Sequence, residues 1–232
     1  IVEIDTKGDK ILDKPLPEQY AIYLANLVQG DLGMSLNTRR PVLTDLRQYM
    51  PATVELAVAA MTVAMTVGIL LGVLAAVYRD RWPDKLISGV TLASISVPEF
   101  LIAYLLMFVV GVQLGWFPST AIGFRPDASI GAKLNAIALP VAVLTLVVLA
   151  HMMRMTRAAI LNVMQSAYIE TAELKGLSMF TIIWRHAFPN SIAPVVNVVM
   201  LNLAYLVVGV VVVEVVFVYP GMGQYLVDHV SK

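Results

Sequence analysis

The sequence predicts an all-α protein built as a polytopic bundle of membrane helices. Of its 232 residues, 59% are hydrophobic and 14% are charged, whereas soluble domains have about 45–50% apolar and about 25% charged residues. Four apolar blocks reach the length of about 20 residues that a helix needs to cross a bilayer. Sixteen basic residues balance sixteen acidic ones, which argues against a disordered chain or a nucleic-acid binder. Cysteine is absent, so disulfides and thiolate metal sites are excluded.

The polar region at residues 1–50 is predicted to be an external segment with surface helices. A helix is expected from Pro17 to Val28, because apolar residues recur at helical spacing after a proline start signal and Gly30 follows. Residues 42–50 have one apolar face, which favours a helix lying along the membrane surface. The chain begins at Ile1 and its opening residues lack an apolar signal core. We therefore expect a segment of the protein to precede it.

Four spans are predicted, and prolines mark three of them. The first begins after Pro51, the second has Pro98 and Glu99 near its middle, and the third has Pro140 in its first turn, where the missing N–H costs little. The fourth contains a valine run that by itself would suit a buried strand. Its length, and the need to satisfy every backbone group within lipid, favour a helix. The predicted spans are residues 52–77, 86–114, 136–155 and 192–218.

The connections between the spans differ in charge. The turn at 78–85 and the region 151–190 together contain seven Lys and Arg residues, against two in the turn-rich loop at 115–135. The positive-inside rule therefore places the first two on the cytoplasmic side. Arg39, Arg40 and Arg47 precede the first span on what would then be the outside, so the charge count favours this orientation without deciding it.

The connection between the third and fourth spans is predicted to form two short helices that meet at a glycine. Ser166 can cap the first helix, with Glu170 near its start and Lys175 near its end, and Gly176 is a natural left-handed stop. Ser178 can cap a second helix that runs from Met179 to about Ala187 and ends at Pro189. Such a corner exposes apolar side chains. Either a groove on a partner protein covers them, or the helices pack only on this chain's own membrane ends.

The same residues resemble a known motif. Glu170-Thr171-Ala172, Gly176 and Pro189 resemble the EAA loop of ABC-importer permeases, with departures at Thr171, His186 and Phe188. Other segments are similar to the dipeptide/oligopeptide/nickel branch, and the large segment before residue 51 resembles its B-type subunit. These segments are Gly30-Asp31-Leu32-Gly33, Pro51-Ala52-Thr53-Val54-Glu55-Leu56, Ser96-Val97-Pro98-Glu99-Phe100, Leu114-Gly115-Trp116-Phe117-Pro118, Val213-Glu214-Val215-Val216-Phe217 and Tyr219-Pro220-Gly221-Met222-Gly223.

The resemblance implies the fold of a type I importer permease in a bacterial inner membrane. Members have six spans, so a first and a last span are expected outside this chain. The permease domain would cover residues 51–218 with a cytoplasmic coupling loop at 157–190, and residues 1–50, 115–135 and 219–232 would face outward. The implied ATPase-coupling residues are Glu170, Thr171, Ala172, Lys175, Gly176, Leu177, Ser178, Phe180 and Pro189.

The resemblance also implies partners: a homologous permease, two ATPases, an external substrate-binding protein and membrane lipid. Hydrolysis is expected in the ATPases, with ATP and Mg bound there and no cofactor in this chain, because no Gly-x-x-x-x-Gly-Lys-Ser/Thr sequence occurs. The chain itself is therefore predicted to be a translocation subunit without catalytic residues. The resemblance implies an ATP-driven importer for peptides or related small solutes. Members carry dipeptides, longer peptides, nickel complexes or sugars, and the sequence does not identify the individual solute.

Three carboxylates within or at the ends of apolar spans are candidates for the translocation path: Glu55, Glu99 and Glu214. Intramembrane carboxylates are costly and therefore suggest function. Glu55 and Glu214 also suit structural roles near the outer ends of the spans. Glu99 follows a helix-kinking proline and is the stronger candidate. Because Glu99 could bind an ion or a proton, an ion- or proton-coupled transporter or channel is the alternative function. An intramembrane enzyme is disfavoured, because no catalytic pair shares a helix face.

Metal binding is not predicted. His151, His186 and His229 lie far apart in the sequence without ligand spacing. Met152, Met153 and Met155 resemble a soft-metal site, but adaptable packing is the commoner use of methionine at a span's end. Small residues at Gly68, Gly72 and Ala76 recur every four residues, which permits close contact between helices.

Overall fold

The computed structural model describes residues 15–35, 39–122 and 128–230, and they are almost entirely helical. Residues 1–14, 36–38, 123–127 and 231–232, all in segments predicted to face outward, lie outside the described residues. The helices are α1 (Leu16–Val28), α2 (Val42–Val77), α3 (Trp82–Ser96), α4 (Glu99–Leu106, continued by a π-helical stretch at Met107–Gln113), α5 (Ile130–Val163), α6 (Ala167–Leu174), α7 (Met179–Ile182, continued by a π-helical stretch at Ile183–Ala187), α8 (Phe188–Asn190), α9 (Ile192–Phe217) and α10 (Met222–Val230).

Helices occur at the predicted spans, but several of them begin or end at residues other than those predicted. Helices α2, α5 and α9 are each long and apolar enough to cross a membrane, and α3 with α4 makes a fourth candidate if the bent pair is one span. Helix α9 matches the prediction closely and ends where Val218 adopts a left-handed conformation, with φ 52°. The valine run is therefore helical, as length and backbone satisfaction in lipid predicted.

The first span does not begin at Pro51. Helix α2 is continuous from Val42 to Val77 with Pro51 inside it, so a separate surface helix over residues 42–50 is wrong. A proline removes one backbone donor, and contacts made by the first three turns offset that loss. Asp45 is buried and accepts a hydrogen bond from the Tyr225 hydroxyl, and Tyr49 stacks on the Tyr225 ring at 4.6 Å between centroids.

Pro140 is likewise not in a first turn. Helix α5 begins ten residues earlier, at Ile130, and contains Pro140 in its interior. Ser129 caps the helix, its hydroxyl accepting a hydrogen bond from the Ala132 N–H at 3.4 Å. The local signal for a helix start at the proline was therefore outweighed by an earlier cap and by burial of Ile137, Leu139 and Pro140 against the bundle.

The second predicted span is broken rather than merely kinked. Helices α3 and α4 differ in direction by 104° across Val97 and Pro98. Val97 is extended, with φ −102° and ψ 130°, as the residue before a proline prefers. The break places Glu99 at the first position of α4 and opens space between α3, α4 and the rest of the bundle.

Helices α2 and α5 form the centre of the fold and approach closely at two glycines. A Cβ at Gly68 would lie 2.6 Å from Met152 Cβ, and one at Gly72 would lie 2.8 Å from the Met153 carbonyl oxygen. The larger apolar cluster surrounds Leu56, Leu144 and Phe217. A smaller cluster lies about 25 Å farther along α2, taking 1.5 Å per residue, and it contains Val73, Ile160 and Ile182. The predicted small-residue contact is confirmed.

Candidate functional site

The two short helices of the long connection meet as predicted, in a segment named here the glycine corner (residues 167–182). Helix α6 ends at Leu174, and Gly176 follows with φ +74°, in the left-handed region that favours glycine. Ser178 then caps α7, its hydroxyl accepting a hydrogen bond from the Thr181 N–H at 3.3 Å. Ser166 precedes α6, but its hydroxyl donates to the Val163 carbonyl instead of capping. The turn is thus fixed by local chemistry.

The glycine corner is held by one apolar face and presents another. Ile169, Ala172 and Ile182 are buried against the smaller apolar cluster. On the opposite side Leu174 is 83% exposed and Phe180 is 62% exposed, with Leu177 and Met179 also exposed. One face of the corner therefore packs on the chain's own membrane ends, and the other face is uncovered.

The charged residues of the glycine corner are exposed. The carboxylate of Glu170 makes no hydrogen bond or ion pair within the described ranges, and Lys175 and Glu173 also lie at the surface. The Thr171 hydroxyl donates to the Ala167 carbonyl at 3.1 Å. That bond satisfies the polar atom introduced where the motif has alanine, so this departure leaves the helix intact.

The second helix ends one residue after Pro189. The chain is helical from Met179 through a π-helical stretch and α8 to Asn190, and Ser191 separates this helix from α9. Asn190 donates to the His186 carbonyl at 2.6 Å, and the chain passes into α9 at the buried Ser191. The backbone of His186 therefore takes part in the loop's own hydrogen bonds.

An ion pair that sequence reasoning missed fixes the helices beside this corner. The Arg157 guanidinium donates two hydrogen bonds to Asp84, at 2.8 and 2.6 Å, and the Asp80 N–H donates to the same carboxylate at 2.9 Å. Asp84 is buried. The pair ties the start of α3 to α5. Its two residues are 73 positions apart in the sequence, so no local pattern predicts that they meet.

Glu99 lines a cavity of about 640 Å³ between the break at Pro98, α5 and α9. Its Oε1 atom is buried without a hydrogen-bond partner among the described residues. Gly209 of α9 leaves room for the carboxyl group, because a Cβ there would lie 3.0 Å from Oε1 and 3.2 Å from Oε2. The remaining lining is mostly apolar, with polar groups from Ser94, His151, Asn202 and Tyr205.

Glu214 is in a different situation, at the centre of the Glu214 cluster (Thr53, Glu214, Tyr219, Gly223 and Gln224). Its carboxylate accepts hydrogen bonds from the Thr53 hydroxyl at 2.6 Å and from the N–H groups of Gly223 and Gln224 at 2.6 and 3.2 Å. The Thr53 hydroxyl in turn accepts from the Met222 N–H at 2.7 Å. This cluster joins α2, α9 and α10.

Tyr219 completes the Glu214 cluster. It is fully buried, and its hydroxyl donates to the Ala52 carbonyl at 3.0 Å. Burial raises the pKa of Tyr219, and the nearby carboxylates of Glu55 and Glu214 raise it further. The phenol is thus kept in its neutral, hydrogen-bond-donating form.

The structure does not bring the three candidate carboxylates together. Glu55 is partly exposed and faces Lys133 across 3.8 Å, Glu214 lies in its cluster, and Glu99 alone lines the cavity. No group of three or more His, Asp or Glu residues suited to a metal ion occurs within residues 15–35, 39–122 and 128–230. Met152 and Met153 are fully buried in the helix contacts, in agreement with a packing role.

Comparison with known proteins adds independent findings. Residues 68–230 match the model of a family described as the inner membrane component of binding-protein-dependent transport systems. The glutathione transport system permease protein GsiC of Escherichia coli O6:H1 is 38% identical over 225 residues, covering 95% of this chain and 69% of the relative. The protein of the same name from Shigella flexneri serotype 5b is 37% identical with the same coverage.

Proposed function

Because this chain belongs to the family of inner membrane components of binding-protein-dependent transport systems, and is a permease subunit of an ABC importer, we propose that its glycine corner is the docking element for an ATPase subunit. The supporting observation is the exposed apolar face of Leu174, Leu177, Met179 and Phe180, which projects from a corner whose other face is anchored in the bundle.

The packing of the glycine corner on the bundle explains how a movement of the corner would be transmitted to the membrane helices. Ile169 and Ile182 pack against Val73 of α2 and Ile160 of α5. Those two helices are in contact along the bundle, and the Asp84–Arg157 pair adds α3. Movement of the corner would therefore be passed to the spans as a unit, since packed interfaces switch between discrete arrangements rather than deform continuously.

Within this proposal each residue of the motif has a physical role. Gly176 supplies the left-handed turn, Ser178 caps α7, and Ala172 gives close contact with the bundle. Glu170 and Lys175 are exposed and available for charge-assisted bonds with the ATPase. The full importer would contain a homologous permease, two ATPases that bind ATP and Mg, and an external substrate-binding protein.

The solute is proposed to be a short peptide or a related small molecule, as the name of the GsiC relatives indicates for them. The Glu99 cavity is the part of the path that this chain supplies. The contacts of Glu214 and of Glu55 with Lys133 support structural roles for those two carboxylates. The orientation that follows places the glycine corner in the cytoplasm and α10 outside.

The docking role is tested with the full-length importer in proteoliposomes. Phe180→Asp places a charge in the exposed apolar face, and we expect at least a tenfold loss of ATP-driven glutathione uptake together with loss of co-purifying ATPase. Tyr20→Asp is the matched control, because Tyr20 of α1 is an aromatic residue with 63% exposure against 62% for Phe180. Full ATPase binding and uptake by the Phe180→Asp variant would contradict the docking role.

A further inference from the structure

We propose that the Glu99 cavity is a recognition site for a protonated amine, such as the free amino group of a peptide solute. The inference rests on the proposed translocation path and names the chemical group that the path selects. It starts from the Glu99 carboxyl group, which is half-buried and whose Oε1 atom is shielded from solvent without a partner among the described residues.

The cavity contains an acidic group that no lysine or arginine of its lining compensates. Glu99 is the acidic residue of the lining, and neither lysine nor arginine occurs among the residues that line it. A carboxylate withdrawn from water is costly unless a cation or hydrogen-bond donors compensate it. Among the described residues, the Oε1 atom of Glu99 is shielded from solvent and has no hydrogen-bond partner. The group is therefore prepared to accept a cationic donor that enters from outside this subunit.

The size and lining of the cavity suit a small organic solute. Its volume of about 640 Å³ lies within the roughly 300–1,000 Å³ of small-molecule sites. Gly209 sets the carboxyl group against the α9 backbone, and the broken span at Pro98 keeps the cavity open. The apolar walls suit the carbon skeleton of a solute, whereas Asn202 and Tyr205 add polar atoms around the same space.

A metal ion is a poorer occupant than an amine. Glu99 has no second carboxylate beside it in this lining, and the described residues contain no group of ligands suited to a metal. An ammonium group needs one carboxylate for a charge-assisted hydrogen bond. A single acid in an apolar chamber also keeps binding weak enough for the solute to leave again, as translocation requires.

Glu99 also begins α4, and a carboxylate in a first turn stabilises a helix through its dipole. That structural role does not account for the cavity or for the space that Gly209 leaves. The two roles differ in their consequences, because the dipole effect is independent of which solute is offered, whereas amine recognition is not.

The first experiment measures binding of n-butylammonium and of n-butanol to the purified full-length importer without its binding protein, by equilibrium dialysis. We expect the ammonium to bind more tightly than the alcohol and Glu99→Gln to weaken ammonium binding about tenfold or more, with alcohol binding unchanged. Asp228→Asn is the matched control, since it makes the same carboxylate-to-amide change on α10, outside the cavity. Gly209→Ala, which crowds the carboxyl group, is expected to give a smaller loss of the same kind.

The second experiment measures ATP-driven uptake of glutathione and N-acetylglutathione at concentrations that saturate the binding protein. We expect glutathione to be carried faster, and Glu99→Gln to lower its rate to that of the acetylated solute. Equal ammonium binding by wild type and Glu99→Gln, equal loss for both solutes, or failure of the Glu99→Gln importer to assemble because Glu99 pairs with another subunit would each overturn the proposal. Absence of ATP-driven uptake in wild type would instead contradict the proposed transport function, while the dialysis result would still decide amine binding.

Discussion

Glu214 and Glu99 are carboxylates near the same helix bundle, and their surroundings differ in one decisive respect. Glu214 accepts three hydrogen bonds from α2 and from the start of α10. Glu99 accepts none in the described chain, although its Oε1 is equally shielded from water. A buried polar group that is fully satisfied contributes to the fold, and one that is not is available to a ligand. The comparison separates an acid that the fold satisfies from an acid whose Oε1 atom the described residues leave without a partner.

The largest effect is expected at the Glu214 cluster. Glu214→Ala would leave two backbone N–H groups and the Thr53 hydroxyl without their acceptor, at a cost of roughly 3 kcal/mol in the free energy of unfolding. Chemical unfolding of the full-length subunit in mixed micelles measures it. Glu214→Gln, which keeps one carbonyl oxygen as an acceptor, should lose about half as much. An Ala variant as stable as wild type would remove the structural assignment.

A smaller loss is expected for Tyr219→Phe, which deletes the hydrogen bond that the Tyr219 hydroxyl donates to the Ala52 carbonyl. The expected cost is about 1 kcal/mol in the same unfolding measurement. The substitution also has a pH signature. Because the pKa of Tyr219 is raised in the folded protein, wild-type stability is fully present below the unfolded tyrosine pKa of about 10 and falls as pH rises above it. The Phe variant should lack this alkaline contribution, and an identical pH profile for the two proteins would contradict it.

The smallest effect on stability is expected at Glu99. Glu99→Gln removes a buried charge without removing any hydrogen bond seen in the described chain, so the free energy of unfolding should change by less than about 1 kcal/mol. Its glutathione uptake should nevertheless fall. A loss as large as that of Glu214→Ala in the same unfolding measurement would show that Glu99 also stabilises the subunit, and the contrast between the two acids would disappear.

Much of the local structure could be predicted. The left-handed turn at Gly176 and the cap at Ser178 depend on neighbouring residues, and both were confirmed. Three of the four apolar blocks form continuous helices long enough to cross a membrane, and the fourth is bent by 104° at Val97 and Pro98. The errors concern Ser166, whose hydroxyl does not cap α6, and Pro51 and Pro140, which signal helix starts locally but lie inside α2 and α5. In α2, tertiary contacts of Asp45 and Tyr49 with Tyr225 stabilise the helical turns that precede Pro51.

The candidate sites were found in part. The sequence singled out both Glu99 and Glu214 as costly acids within apolar segments, and it located the glycine corner. It did not identify the Asp84–Arg157 pair or the space at Gly209, because the partners are distant in the chain. The family comparison removed the ion- or proton-coupled transporter that Glu99 had left open, since the chain is an ABC-importer permease.

The sequence by itself determined that this protein is a membrane helix bundle, because the length of an apolar block and the need to satisfy backbone groups in lipid leave helices as the solution. It also determined the turn at Gly176, since steric limits on φ act within one residue. Only the tertiary structure decided which buried acid is satisfied. Thr53 and Glu214 are 161 residues apart, and their hydrogen bond exists because α2, α9 and α10 converge there, whereas the break at Pro98 directs Glu99 into an open cavity.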